Sequence, residues 1–199
     1  MTELSECIKV LKSLSKVLNH VCSNCLVNTT YFNDLWCKYI CSEVQLVINN
    51  ISLGHYVDAL RGLKAVMEGS IQSLYYFTRY GLEEGAIVVE VRRRQKSATS
   101  FNIKMLGKIR GLHAKTKKDM LKLYLKIAEF SHPTSKVIKL GMKGREELAK
   151  EVIKDVINDV CDYAAYSAVR LCGKEVVPPE LIDELLARGF RRATKYLRS

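Results

Sequence analysis

Proline is scarce in this chain, and long apolar runs are missing. The only prolines are Pro133, Pro178 and Pro179. Because a helix interior tolerates proline poorly, this scarcity leaves room for long helices, with the prolines as boundaries. No window approaches the roughly eighteen uninterrupted apolar residues of a membrane-spanning helix. The N-terminus also lacks the basic lead and apolar block of a signal peptide, so we predict a cytoplasmic protein without a membrane partner.

Motifs that mark several common enzyme classes are missing too. The chain has no Gly-rich phosphate loop, no His-Glu-x-x-His and no Gly-x-Ser-x-Gly. The first of these motifs binds nucleotide phosphates, the second forms a catalytic zinc site, and the third carries an activated serine. We therefore expect neither nucleotide-driven nor hydrolase chemistry of those types, and no cofactor other than the structural zinc considered below.

Apolar residues recur at helical spacing along most of the chain, which predicts an all-α fold. The β-branched run from Ala86 to Val91 suits a strand, but one isolated strand would have no partner, so we predict a helix there as well. The pattern predicts long helices from about Leu4 to Cys22, from Asn33 or Asp34 through Ile51, from Tyr56 to Tyr80, and from about Arg145 to Leu171.

Shorter helices are predicted in the second half of the chain. Ser100 is a candidate cap for a short helix through Ile109, and Thr116 is one for a helix that ends near His132. A single basic helix is predicted from Pro179 to Leu197. Eight or so helices with short connections are typical of a bundle. We predict one over residues 1–175, with a basic C-terminal helix at residues 176–199 packed on it or extending from it.

Positive charge is concentrated in one stretch of the sequence. From Val91 to Lys126 there are twelve Lys or Arg and one acid, Asp119. The segment from Arg188 to Ser199 adds five bases and no acid. Such a concentration predicts a phosphate-bearing partner. The alternative is a solvated helix face whose bases are balanced by acids from elsewhere in the folded chain.

Seven cysteines are many for a cytosolic chain. Cys22-x-x-Cys25 and Cys37-x-x-x-Cys41 provide four thiols in paired short spacings, a pattern that suits structural zinc, and His20 is a further candidate ligand. The same spacings also place small thiols on a buried helix face. Disulfides are a third interpretation, which a hyperthermophilic source would favour.

The segment from Tyr124 to Ser135 holds the best candidate for acid–base chemistry. His132 follows a basic helix and precedes Pro133, and histidine titrates near neutrality. Lys126 lies six residues earlier. The alternative is a histidine that bonds a terminal carbonyl and shapes the turn. Residue chemistry alone favours this alternative, because a lone histidine does not establish a site.

The same segment resembles the signature of the HEPN superfamily. In these helical proteins a late helix carries Arg, then four to six residues, then His. The segment is most similar to a branch with a Tyr-x-x-Leu-Ser-x-x-x-His pattern. Tyr124, Ile127 and His132 match that pattern in spacing, and Ala128 replaces its serine.

A second match lies upstream, where Arg61 and Glu68 resemble the Arg- and Glu-rich second helix of that branch. The resemblance implies a HEPN-like bundle. For a HEPN ribonuclease, the resemblance implies metal-independent RNA cleavage at a dimer interface. In that mechanism the histidine aids attack of the 2′-hydroxyl and the arginine steadies the phosphate. Carried over, His132 is the base or acid, and Lys126 stands where the arginine belongs. Lysine is a point charge and cannot clamp a phosphate bidentately.

Two functional hypotheses follow. The first is an RNA-binding homodimer with endoribonuclease activity. The second is a non-catalytic helical protein that dimerises or holds a toxin or nucleotidyltransferase partner, since many HEPN-like proteins act in that way. Under the first hypothesis, the predicted RNA contacts are the bases of the charged stretch: Arg92, Arg93, Arg94, Lys96, Lys104, Lys108, Arg110, Lys115, Lys117, Lys118 and Lys122.

Overall fold

The computed structural model describes residues 3–96, 103–130 and 139–199. Its first helix, α1 (Glu3–Asn24), agrees with the predicted apolar spacing. Its buried face consists of Cys7, Val10, Leu11, Leu14, Val17, Leu18 and Val21. Residues of this kind at three- and four-residue spacing form one apolar stripe, which directs the helix to the core.

The second helical region has three parts. They are α2 (Tyr31–Asn33), a π-helical segment (Asp34–Ile40) and α3 (Cys41–Leu53). The predicted cap at Asn33 or Asp34 is wrong, because both residues have helical backbone angles. The helix begins earlier because the carboxylate of Glu84 accepts the backbone N–H groups of Thr30 and Tyr31. Gly54 ends the region with a φ of 79°, as its position in the sequence predicts.

Helix α4 (Tyr56–Tyr80) has the predicted bounds and packs closely against α3. Its start is held by Glu146, whose Oε2 accepts the N–H groups of Tyr56 at 2.6 Å and Val57 at 3.0 Å. A Cβ at Gly62 would lie 2.5 Å from Cγ2 of Val47 on α3. Glycine at this position therefore lets the two helices approach each other.

Three helices follow: α5 (Glu84–Lys96), α6 (Lys104–Gly107) and α7 (Ala114–Ala128). The helical prediction for Ala86 to Val91 is confirmed. The predicted cap at Thr116 is wrong, because α7 begins at Ala114 and His113 Nδ1 accepts the N–H of Lys115 at 3.2 Å. Ser100 and His132, the predicted cap and helix end, lie outside the described residues.

The C-terminal third consists of α8 (Gly141–Cys172), a 3₁₀ turn (Lys174–Val176), α9 (Pro179–Ala187) and α10 (Arg191–Arg198). The prediction of one helix from Pro179 to Leu197 is wrong. Gly189 has a φ of 78° and the buried Phe190 follows it, so the chain turns there. Asp162 of α8 then accepts the N–H groups of Arg192 and Ala193, which starts α10.

The core lies among α1, α3, α4 and α8. Helix α8 packs on α1 and α4, α4 packs on α3, and α3 packs on α1, so the four helices enclose one apolar interior. Helix α7 covers α4 and α8, and α10 lies on α8. No strand occurs in the described ranges, and the predicted all-α bundle is confirmed. None of the helices in those ranges is both long and apolar enough to cross a membrane.

Candidate nucleic-acid interface

Helix α7 presents three predicted RNA contacts on one side. Lys115, Lys118 and Lys122 are all exposed. Their spacing of three and then four residues places them on neighbouring turns of one helix face. With a rise of 1.5 Å per residue, Lys115 and Lys122 lie roughly 10 Å apart along the helix axis. A row of this length suits an extended anion better than a single small one.

The loop before α7 continues this positive surface. Lys108 and Arg110 are exposed there, and the Arg110 backbone N–H donates to Thr78 on α4 at 3.4 Å. Lys117 is different, because its Nζ donates to the carbonyl of Gly107 at 3.0 Å and so ties α7 to α6. Lys104 is exposed on α6. We define the basic face as Lys108, Arg110, Lys115, Lys118 and Lys122.

The basic face is not neutralised by acids from other elements. None of its five members forms an ion pair with a carboxylate in the part of the chain that the structure describes. Several bases elsewhere have such a partner at short range, as in Lys154–Glu3 at 2.7 Å, Arg188–Glu6 at 2.7 Å and Lys16–Glu184 at 2.9 Å. The alternative of a face balanced by acids therefore does not hold for these five residues.

The arginines of α5 behave differently. Arg92 and Arg93 are exposed, but Arg93 forms a two-point ion pair with Glu90, with N–O distances of 2.8 and 2.9 Å. Arg94 and Lys96 also belong to α5, and their side chains fall outside the described part of the chain. The basic face is therefore a stronger candidate for phosphate contacts than the arginine run of α5.

Two residues of the family resemblance meet between α4 and α7. The Tyr124 hydroxyl donates to Glu68 Oε1 at 2.9 Å, and Lys64 Nζ lies 3.4 Å from the same carboxylate oxygen. Burial, followed by the hydrogen bond to Glu68, raises the pKa of Tyr124. Arg61 is not part of this cluster, because its Nη1 pairs with Asp58 at 2.6 Å near the start of α4. The family resemblance groups Arg61 with Glu68, but in the structure their side chains have different partners.

The proposed catalytic pair is only partly described. Lys126 is exposed and its Nζ lies 3.1 Å from Oδ2 of Asp155 on α8. His132 lies outside the described residues. No sequence pattern links Asp155 to Lys126, because the two residues are 29 positions apart. Only packing of α7 on α8 brings them together.

The cysteines are arranged as two disulfides that link distant parts of the chain. Cys22 bonds Cys37, and Cys25 bonds Cys172. Three of the four thiols considered for zinc therefore belong to disulfides, and the fourth, Cys41, belongs to neither bridge. His20 Nε2 donates to the carbonyl oxygen of Val176 at 2.7 Å. No group of His, Cys, Asp and Glu within the described ranges has an arrangement that could hold a metal ion.

Comparisons with protein-family models, curated proteins and solved structures find no match to this chain.

Proposed function

We propose that the protein binds RNA through the basic face. The observation that carries this proposal is the set of five exposed bases without a carboxylate partner in the described chain. Folding brings acids to many other surface bases but leaves these five charges available. An RNA backbone supplies phosphates in a row, and neutralising them releases condensed counterions, which drives association. The resemblance to HEPN-like proteins favours RNA over other polyanions.

Cleavage of the bound RNA stays a prediction of that resemblance. A metal-independent ribonuclease would cut RNA in EDTA and leave cyclic phosphate ends, and His132→Ala would abolish the cutting. The Lys126–Asp155 ion pair supports binding over cleavage, because a lysine engaged by a carboxylate is a poor substitute for a phosphate-clamping arginine. Intact single-stranded and transfer RNA after incubation would restrict the proposal to binding.

A second candidate function is protein–protein interaction through α7. Leu121 and Leu125 are 37% and 56% exposed and lie one turn apart on this helix. Exposed leucines at this spacing are typical of a helix that packs against a partner. If a second copy of the chain covers them, light scattering will show a dimer, and Leu121→Gln/Leu125→Gln will shift it to monomer. A monomer at all concentrations for the unaltered chain contradicts self-association.

The test of RNA binding is fluorescence anisotropy with labelled single-stranded RNA between roughly 50 and 200 mM salt. The unaltered chain should show log affinity that falls linearly with log salt. Lys118→Glu/Lys122→Glu should weaken binding and lower the slope by roughly 0.7 for each lost phosphate contact.

The matched control for that test is Lys12→Glu/Lys143→Glu. It changes the net charge equally at two exposed lysines outside the basic face. Equal loss of affinity in both double variants would show that only net charge matters. A slope of zero for the unaltered chain would contradict phosphate binding altogether.

A further inference from the structure

The two basic stretches of the sequence converge on one cleft. The cleft has a volume of about 290 Å³ and lies between the start of α7, the second half of α8 and α10. Its walls include His113, Thr116, Tyr166, Arg192, Lys195 and Tyr196. The first two residues belong to the stretch from Val91 to Lys126, and the last three belong to the C-terminal basic segment. The two stretches are far apart in the sequence, and the fold brings them together at this cleft.

One wall of the cleft is aromatic and carries a positive charge. The rings of Tyr166 and Tyr196 meet edge to face with centroids 5.9 Å apart. The Arg170 guanidinium lies 5.6 and 6.0 Å from those two centroids, and its Nη1 donates to the Tyr166 hydroxyl at 3.1 Å. Its Nη2 extends to about 4.0 Å from the position of a Cβ on Gly111, which lines the cleft. Arg170 forms no ion pair with a carboxylate in the described ranges.

The opposite wall offers hydrogen-bond donors and positive potential. Helix α7 starts here, and helix geometry leaves the N–H groups of its first turn without partners inside the helix. His113 Nδ1 satisfies one of them, the N–H of Lys115. The helix dipole adds to the attraction for an anion at this end. Lys195 is exposed at the rim and forms no ion pair within the described chain.

Arg192 has a different role in the cleft. Its Nη1 pairs with Asp159 at 2.8 Å and Asp162 at 3.0 Å, and its guanidinium lies 4.1 Å from the centroid of the Tyr163 ring. These contacts fix Arg192 as part of the wall and neutralise its charge. The positive groups that remain for a ligand are Lys195 and the start of α7, while Arg170 contacts the tyrosine rings and is not itself a lining residue.

We infer that this cleft binds one nucleotide unit, with its phosphate at Lys195 and the start of α7 and its base against the tyrosine wall. Proteins commonly bind a phosphate at a helix start beside cations. They also stack nucleotide bases on aromatic side chains. The volume admits a small ligand and not a folded RNA element. The inference rests on the proposed RNA-binding function when the nucleotide belongs to a strand. A free mononucleotide has the same chemistry.

The experiment measures binding of uridine and adenosine monophosphates to the full chain by calorimetry, with the nucleosides and inorganic phosphate as comparison ligands. The monophosphates should bind more tightly than either the nucleosides or phosphate. Lys195→Glu should weaken their binding roughly tenfold or more, because it replaces a charged contact by repulsion. Lys12→Glu, with the same charge change on α1, should leave it unchanged. Tyr196→Leu, which removes part of the aromatic wall, should weaken monophosphate binding more than phosphate binding.

The same variants in the RNA assay separate this inference from the proposed function. If RNA binding depends on Lys118 and Lys122, but no monophosphate binds and Lys195→Glu behaves like Lys12→Glu, the cleft inference is wrong and the function stands. If monophosphates bind with the expected dependence on Lys195 while RNA does not bind, the cleft is a site for free nucleotides and the proposed function is wrong. If Lys195→Glu weakens both ligands, the cleft receives a nucleotide of the strand.

Discussion

Single glycines determine how closely α3 and α4 pack. A Cβ at Gly62 would meet Val47 Cγ2 at 2.5 Å, and one at Gly69 would meet Ile40 Cδ1 at the same distance. The two glycines are seven residues apart on one face of α4, where Gly62 faces α3 and Gly69 faces the π-helical segment that precedes it. Of the two contacts, the one at Gly62 is harder to relieve, because a valine has little freedom at χ1. The isoleucine methyl lies at the end of a more flexible side chain.

Gly62→Ala should destabilise the protein although alanine is the better helix former. Replacing glycine inside a helix usually gains about 1 kcal/mol. Overpacking against Val47 should cost about 1–3 kcal/mol, which outweighs that gain. Urea unfolding measures the change in the free energy of unfolding. The control is Gly85→Ala in α5, where a Cβ would meet nothing within 4 Å, and it should cause no loss. A Gly62→Ala protein as stable as the unaltered chain would contradict this packing.

Residue patterns predicted the long helices and missed the details that depend on another element. Gly54 and Gly81 follow apolar periodic runs, so both ends of α4 were predictable from local sequence. Thr116 is a better cap by residue type than His113, yet His113 has the extended backbone that a cap requires, with φ of −60° and ψ of 143°. The close approach at Gly62 could not be predicted, because its partner Val47 lies on another helix.

At the scale of elements, carboxylates of one helix cap the start of another helix. Glu146 of α8 accepts two N–H groups at the start of α4, and Asp162 of α8 does so at the start of α10. Glu84 of α5 serves α2 in the same way. An acid at a helix start satisfies orphan donors and interacts favourably with the helix dipole. Because the caps come from distant residues, these helix starts depend on tertiary packing.

Glu146→Ala should therefore weaken the attachment of α4 to α8. Loss of a capping side chain typically costs about 0.5–2 kcal/mol. The control is Glu147→Ala, which removes an exposed neighbouring carboxylate that forms only a 3.8 Å ion pair with Lys150. Thermal unfolding followed by circular dichroism should show a lower Tm for Glu146→Ala and little change for Glu147→Ala. Equal Tm values in the two variants would show that the cap contributes nothing to stability.

The C-terminal segment shows why element boundaries escaped prediction. Its residues are apolar and basic at helical spacing from Pro179 to Leu197, which predicts one helix. The break at Gly189 depends on burial of Phe190 and on the cap that Asp162 of α8 supplies. The turn also orients α10 so that Lys195 and Tyr196 line the cleft with Tyr166. The turn at Gly189, which the sequence pattern does not predict, therefore places α10 at the candidate nucleotide site.

Across the whole molecule, charge separates into paired and unpaired regions. A count of bases located the positive stretch, but it could not tell which bases acquire an acid on folding. Lys126 acquires Asp155 and Arg93 acquires Glu90, whereas the basic face acquires none in the described chain. The ion pair of Lys126 depends on the packing of α7 on α8, whereas that of Arg93 forms within α5. The sequence therefore predicts that this part of the surface is positive. The packing of the helices then determines which of its bases have a carboxylate partner.

Two disulfides link helical elements that are separate in the sequence. The Cys25–Cys172 bridge joins residues 147 positions apart, and the Cys22–Cys37 bridge joins α1 to the π-helical segment. Closing a loop of the larger size removes unfolded-state entropy worth about 5 kcal/mol in the chain-entropy model. Disulfides persist in oxidising compartments and are rare in the reducing cytosol, outside hyperthermophiles. The bridges and the predicted cytoplasmic location thus lead to different expectations for the thiols.

Thiol titration decides between them. With both bridges formed, protein denatured without reductant should expose three thiols, those of Cys7, Cys41 and Cys161, and reduction should raise the number to the full seven. In the native protein Cys7 and Cys161 should react slowly, because burial raises the pKa of both thiols. Reductant should lower the Tm, as should Cys172→Ser, whereas the control Cys41→Ser should not. Seven thiols in protein alkylated directly in its cells would support the cytoplasmic prediction and contradict both bridges.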